Sequence, residues 1–410
     1  MVQCGAGADE AIVDTADLAR RPQAARRSPA RPERAAVYSL AGMRDPRVDA
    51  LAKILVNYST SIGDGDTCLI EGGAPAEPLL QAVYEEVLKA GGNPIVSMQM
   101  DGQAAAFYKH ASDRQLEWVS PVSSWAAENA DARIAVMASA NTRDLSQVEP
   151  ERQTIRQRAM QPVMESMMTR AAEGKYNWAL TLFPTHAYAG EAEMSLADYE
   201  DFYFTACLAD QADPVAAWRK QSEEVERLRD WIQGREEVHI TGPGTDIKLG
   251  IAERTFIAAD GKHNMPDGEF FTGPVEDATE GEITFHLPST VSGREVSGVR
   301  MRFEGGKVVD ASAERNEEFL IKMLDTDAGA RRLGELGIGT NYGIARGTKE
   351  ILLDEKIGGT VHLAVGKSYP ETGGVNESAV HWDMICDLRR GGRLLADGDV
   401  IQESGEFRLS

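Results

Sequence analysis

The stretch TCLIEGGAPAEPLLQAVYEEVLKAGGNPIVSMQM (67–100) decides the architecture of the first half of the chain. TCLIEGG (67–73) is a short apolar run that ends in glycine. PLLQAVYEEVLKAGG (78–92) places apolar residues at helical spacing, and Gly91 and Gly92 stop it. NPIVSMQM (93–100) reads as a second strand. Downstream, RIAVMAS (133–139) and NWALTLFP (177–184) supply a third and a fourth, with a helical segment (151–173) between them. Short apolar strands separated by helices predict an α/β unit with a mainly parallel sheet. Met160, Met164, Met167 and Met168 lie on the 151–173 helix and are read as core packing.

The unit closes with DPVAAWRKQSEEVERLRDWIQG (213–234). Asp213 suits the cap, Pro214 the first turn, and Gly234 the stop. Trp218, Val225, Leu228 and Ile232 share one stripe. A domain boundary is placed after this helix, giving 43–234 and 235–410. Upstream, Met43 precedes RDPRVDALAKILVNYS, where Val48, Leu51, Leu55 and Val56 recur at helical spacing. Residues 1–42 are rich in Ala and Arg and contain no Lys. They have no apolar h-region, and Asp9, Glu10, Asp14 and Asp17 argue against a transit peptide. The expectation is a disordered tail, or a misassigned start with Met43 as the natural beginning.

The second half changes style. EVHITGPGTDIKLGI (237–251) and GVRMRFEGGKVVDASAE (298–314) read as hairpins, and NEEFLIKMLDTDAGARRLGELGIG (316–339) contains one helix. The expectation is an α+β C-terminal domain with a largely antiparallel sheet.

Composition bounds the function. At 410 residues, and about 150 per domain, two to three domains are expected. No apolar run approaches the ~18–20 residues of a membrane-spanning helix. Against 65 acidic residues stand 43 Lys and Arg, a net charge of −22. That field disfavours nucleic acid and favours cations, including divalent metals and the ammonium of a peptide; solubility is the plainer explanation. Cys4, Cys68, Cys207 and Cys386 have no C-x-x-C spacing and form no disulfide scaffold, which fits a reducing cytoplasm. There is no HExxH, G-x-S-x-G or Walker A sequence, and GIGTNYG (337–343) is not a dinucleotide fingerprint.

Chemistry concentrates between 263 and 383. GTVHLAVG (359–366) carries His362 within an apolar strand, and ESAVHWDMICDL (377–388) carries His381 and Asp383. Strand period two puts His381 and Asp383 on one face, with Trp382 and Met384 on the other. An imidazole and a carboxylate inside an apolar strand are costly unless satisfied. A divalent metal satisfies them, and so does a simple His–Asp hydrogen bond; spacing alone leaves both open. Glu269 follows a Pro-Asp-Gly turn in NMPDGEFFTGP (264–274), and Glu335 sits among apolar residues and glycines in LGELGIGTN (333–341). Tyr369 borders the acidic, glycine-rich SYPETGG (368–374). Singly, each of these three is as readily a surface or packing residue.

Together the strings NMPDGEFFTGPVEDATEGEI, GARRLGELGIGTN and DEKIGGTVHLAVGKSYPETGGVNESAVHWDMICDLR resemble the aminopeptidase T family of metalloaminopeptidases. The likeness spans nearly all of 43–410, and FPTHAYAGEAEMSLADYEDFYF (183–204) extends it into the first half. His186 and Tyr188 of that stretch are secondary candidates to border the substrate. The resemblance implies a dinuclear site in the C-terminal domain. Glu269, Glu335, His362, His381 and Asp383 match its metal ligands, and Glu335 and Tyr369 its catalytic positions. It implies two divalent ions (Zn, Co or Mn), short peptides with a free N-terminus as substrates, and a homodimer whose internal cavity restricts access. Bridging carboxylates suit such a pair, because they offset the repulsion of ions ~3.5–4 Å apart. Two rivals remain. Two histidines and an aspartate also make a facial triad for a mononuclear non-haem iron ring-cleaving dioxygenase on the same scaffold, although that site needs neither Glu269 nor Glu335. A non-enzymatic metal-binding dimer would tolerate loss of Tyr369 or a glutamate, and neither is lost.

Overall fold

The computed structural model describes residues 44–408 apart from Ser292. The expectation for residues 1–42 lies outside the described residues. Chain entry is a helix, Pro46–Ile54, capped by Asp45 and continued by a wider turn to Ser59. Its Val48, Leu51, Leu55 and Val56 are all buried.

Four strands follow: β1 (Thr67–Gly73), β2 (Asn93–Gln99), β3 (Ala132–Met137) and β4 (Asn177–Leu182). They run parallel in the order β2-β1-β3-β4, as the alternation of strands and helices predicts. Helix Glu77–Lys89 makes the first crossover and helix Pro150–Ala172 the third. Only part of that second helix's methionine row reaches the core. Met167 is buried and Met160 packs beside it, but Met164 and Met168 are 49% and 41% exposed. Each lies one residue from the stripe Met160–Val163–Met167, hence ~100° around the helix. The small cluster beneath, built on Ala127, Ala130 and Tyr176, covers only a narrow face. Tyr188 also departs from expectation: it is buried in the first core, while His186 is exposed.

Helix Pro214–Ile232 is capped by the Asp213 side chain, which accepts from the Ala216 N–H at 3.0 Å. It serves two cores. Trp218 packs in the first, and Val225, Leu228 and Ile232 in the second. After it come β5 (Glu237–Gly242), β6 (Thr245–Gly250), β7 (Ile257–Ala259), β8 (Asn264–Met265), β9 (Glu269–Thr272) and β10 (Thr279–Thr284). A two-stranded ribbon, β11 (Ser289–Val291) and β12 (Arg294–Val296), is followed by β13 (Arg300–Glu304) and β14 (Lys307–Ser312). The chain ends with β15 (Leu333–Gly339), β16 (Thr360–Gly366), β17 (His381–Asp387), β18 (Arg393–Ala396), β19 (Asp399–Glu403) and β20 (Glu406–Phe407).

Two antiparallel sheets dominate this half. One has the order β14-β13-β10-β6-β5-β18-β19-β20, and the other β17-β16-β15-β9-β7. The hairpins expected at 237–251 and 298–314 are β5/β6 and β13/β14. β8 joins the parallel sheet beside β4, so the chain touches the first sheet immediately before it enters β9.

Candidate metal centre

The β17-β16-β15-β9 ladder gathers every residue that sequence reasoning proposed as a metal ligand. Directly paired residues in antiparallel strands share a face. Gly339 pairs with Glu269, Gly337 with both Phe271 and His362, and Glu335 with Ala364. Ala364 in turn pairs with Asp383, and Gly366 with His381. Glu269, Glu335, His362, His381 and Asp383 therefore project from one face of four adjacent strands. Trp382 and Met384 point the other way, into the second core. A register shift between Leu333 and Glu335 sets the phase of β15 against β16.

Two glycines make the cluster possible. Gly268 has φ +121°, open to glycine but not to other L-residues, and it delivers Glu269 into β9. Gly337 lies beneath the imidazole of His362: a Cβ there would stand 2.0 Å from Cε1 of the ring.

The histidines are oriented from behind. His362 Nδ1–H donates to the Glu355 carbonyl at 3.1 Å, and His381 Nδ1–H to the Lys367 carbonyl at 2.8 Å. A carbonyl only accepts, so both Nε2 atoms are turned to the cluster, the arrangement seen behind metal-ligating imidazoles. His362 Nε2 is 3.4 Å from Glu335 Oε1 and 3.6 Å from Glu269 Oε2. His381 Nε2 is 3.2 Å from Glu335 Oε2 and 3.4 Å from Asp383 Oδ2. Two triads, Glu335–His381–Asp383 and Glu355–His362–Asp383, each hold their donor atoms within 4.8 Å of one another. Asp383 belongs to both.

Glu355 is the residue that sequence reasoning missed. It follows helix Ile351–Asp354 in the run DEK, which reads as a solvated surface. Lys356 beside it is fully buried and donates to Glu269 Oε1 at 3.2 Å and, more closely, to Glu355. The available signal was a charged triplet only a few residues before a mostly apolar strand that carries a candidate ligand. Tyr369 stands at the rim, its hydroxyl 3.4 Å from His381 Nε2 and its ring edge-on to Phe271 and His381.

The electrostatics are those of a site short of positive charge. Burial drives Glu269 and Glu355 above the usual carboxylate range, and Lys356 only partly offsets it. Burial would also raise Glu335, but hydrogen bonds from His362 and His381 outweigh it and hold Glu335 low. Burial works against a charged His362, yet Glu335 and Glu269 outweigh it and lift the imidazole to about 10. His381 likewise rises to about 11 against burial, through Asp383 and Glu335. Burial, then Glu335 and Asp383, keep the Tyr369 hydroxyl protonated. The donor set fits divalent metal. Glu269 Oε2 and Asp383 Oδ1 are buried without any hydrogen-bond partner, and the carboxylates favour the protonated form of both imidazoles. A cleft of about 1680 Å³ at the carboxyl ends of β1, β2 and β3 is lined by none of these residues, so donor chemistry rather than hollow size marks the site.

Known proteins share this sequence and this fold. Aminopeptidase T of Thermus aquaticus is 28% identical over 396 residues, covering 87% of this chain and 95% of that protein. Wild-type AmpT from Thermus thermophilus superposes with a TM-score of 0.76 at 24% identity, over 88% of this chain and 99% of that one. A 2,5-dihydroxypyridine dioxygenase from Pseudomonas putida KT2440 shares the fold more loosely, with a TM-score of 0.52 at 13% identity over 89% and 97% of the two chains. The thermophilic metalloprotease (M29) family model matches residues 44–407. The chain belongs to the thermophilic metalloprotease family M29.

Proposed function

We propose that this protein is a metal-dependent aminopeptidase that removes the N-terminal residue of short peptides with a free α-amine. One observation carries the reading: two imidazoles, fixed from behind by backbone carbonyls, turn Nε2 toward four buried or half-buried carboxylates on one side of a sheet. Divalent ions, two of them (Zn, Co or Mn) on this reading, would be held by the residues of the two triads, with Glu269 offering its unpartnered oxygen. Glu269, Glu335, His362, His381 and Asp383 are assigned as ligands, and Glu355 is added to them. When bound, such ions supply Lewis acidity that polarises the scissile carbonyl and acidifies the attacking water.

The chain's own groups do the rest. Glu335 turns both oxygens to the histidines and holds them in place. Glu355, one oxygen of which accepts from Lys356, serves with the other ligands to hold the ions. The protonated Tyr369 hydroxyl at the rim is suited to donate to the oxyanion of the tetrahedral intermediate. The acidic surroundings attract the substrate ammonium, which favours exopeptidase action over internal cleavage.

The dioxygenase reading is the weaker one. A one-iron facial triad leaves Glu269, Glu335 and Glu355 without a task, and the shared fold is no evidence of shared chemistry. A homodimer is proposed from the family resemblance. A cytoplasmic location is supported by three buried free cysteines, Cys68, Cys207 and Cys386. No helix among the described residues is long and apolar enough to cross a membrane. Domain limits of 43–234 and 235–410 are proposed on the change from parallel to antiparallel sheet.

The test is a chelator-stripped protein reloaded with zinc, cobalt or manganese and assayed on a dipeptide and its N-acetylated form. Cleavage of the free dipeptide alone, lost on stripping and restored by metal, is expected. Cleavage of both forms, or full activity after stripping, refutes the reading.

A further inference from the structure

Lys356 is the one wholly buried lysine among the described residues, and its ammonium lies among three carboxylates. Nζ donates to Glu269 Oε1 at 3.2 Å and to Glu355 Oε1 at close range, and Asp267 Oδ1 stands 3.9 Å away. Burying a cation this deeply is costly unless acids surround it.

The pairing has a direction. With Oε1 of Glu269 held by Lys356, Oε2 is left facing His362 Nε2 at 3.6 Å, buried and without a hydrogen-bond partner. The ammonium is itself anchored at both ends. Asp267 is fixed by the N–H groups of Gly261 and Gly268, each at 3.0 Å. The loop leading into Lys356 is locked by Asp354, whose carboxylate accepts from Thr348 N–H, Thr348 Oγ1 and Lys349 N–H at 2.7–2.9 Å.

We propose that Lys356 is the positioning residue of the metal-binding cluster: it pins one oxygen of Glu269 and holds Glu355, so that the free oxygen of Glu269 is presented beside His362. This rests on the metal-binding reading above. Charge alone makes the opposite forecast. An ammonium among ligands repels incoming cations, so its removal would tighten metal binding. A positioning role requires removal to weaken it, as loss of an outer-shell partner does. The sign of the change therefore separates the two.

The experiment uses the full chain, as wild type, Lys356→Met and Lys356→Gln. Each is stripped with chelator and titrated with cobalt(II), read by bound metal and by visible absorption. Lys356→Met is expected to bind cobalt about 10–100-fold more weakly, with an altered absorption spectrum. Lys356→Gln keeps one donor and is expected to lie between the two. Cobalt binding as tight as wild type or tighter, in either folded variant, overturns the proposal. If a variant is unfolded without metal, refolding only at cobalt concentrations well above those that load the wild type supports the proposal; refolding at wild-type concentrations, or no refolding, overturns it and makes Lys356 a core ion pair only. A wild-type chain that binds no cobalt overturns the metal reading, and the proposal with it.

Discussion

Glu335 spends both carboxylate oxygens on the two histidines, at 3.4 and 3.2 Å, so no neighbour substitutes for it. Glu335→Gln is expected to lower peptide turnover by more than about a hundredfold while leaving the far-UV spectrum unchanged; retained activity would remove Glu335 from the site. The histidines make a pH prediction. In the metal-free chain His362 and His381 are raised from an ordinary ~6.5 to about 10 and 11. Their protonated forms stabilise the fold fully below pH ~6.5, and that contribution is lost as pH rises through about 10 to 11. Thermal unfolding of stripped protein should therefore shift downward over this range. Because a ligating imidazole must be neutral and a ligating carboxylate ionised, zinc added near pH 7 should displace at least the two imidazole protons, with Glu269 adding to them. Calorimetry in buffers of different ionisation enthalpy measures that number, and zero release would contradict the ligand assignment. At this scale the sequence was informative where it broke a local rule. His362, His381 and Asp383 stand out because they interrupt apolar strands. Glu355 and Lys356 do not, because a DEK run after a helical turn looks like any solvated surface. Only the fold reveals that this run turns inward.

Elements were legible where period and punctuation agreed. The β1–helix–β2 unit, the Asp213-capped helix and both hairpins fall where glycine, proline and apolar spacing place them. The offset within β15 was not legible. A bulge is a local departure from pairing, and pairing is a property of two strands rather than one. Nor did the methionine row reveal which side of its helix would find a neighbour. Gly337 carries an element-scale prediction. Gly337→Ala puts a methyl into the volume of the His362 ring and must push the imidazole off the sheet face. Loss of cobalt binding is expected, together with a lower unfolding temperature that added metal fails to restore. Normal metal content in a folded variant would show that the sheet adapts.

At the scale of the whole molecule, the family match and the described structure both begin at residue 44. A chain started at Met43 is expected to show the thermal transition and peptide turnover of the full chain, measured side by side. A shortened chain that fails to fold would give residues 1–42 a structural role. The parallel and antiparallel halves were legible as a change of style near residue 235. What no linear reading supplied is their interdependence: β8 pairs with β4, and Leu352, Leu353 and Ile357 pack in the first core.

The ladder β9-β15-β16-β17 has one further consequence, which concerns timing. Its donors come from segments more than a hundred residues apart, and two of them, His381 and Asp383, lie on β17, close to the end of the chain. In a nascent polypeptide without β17 the first triad keeps only Glu335, and the second keeps Glu355 and His362 but loses Asp383. Neither triad is complete until β17 has paired in phase with β16. A slip of one residue in that strand would turn both donors into the core. Assembly of the centre is therefore a readout of strand register: only a chain with β17 in phase carries both triads.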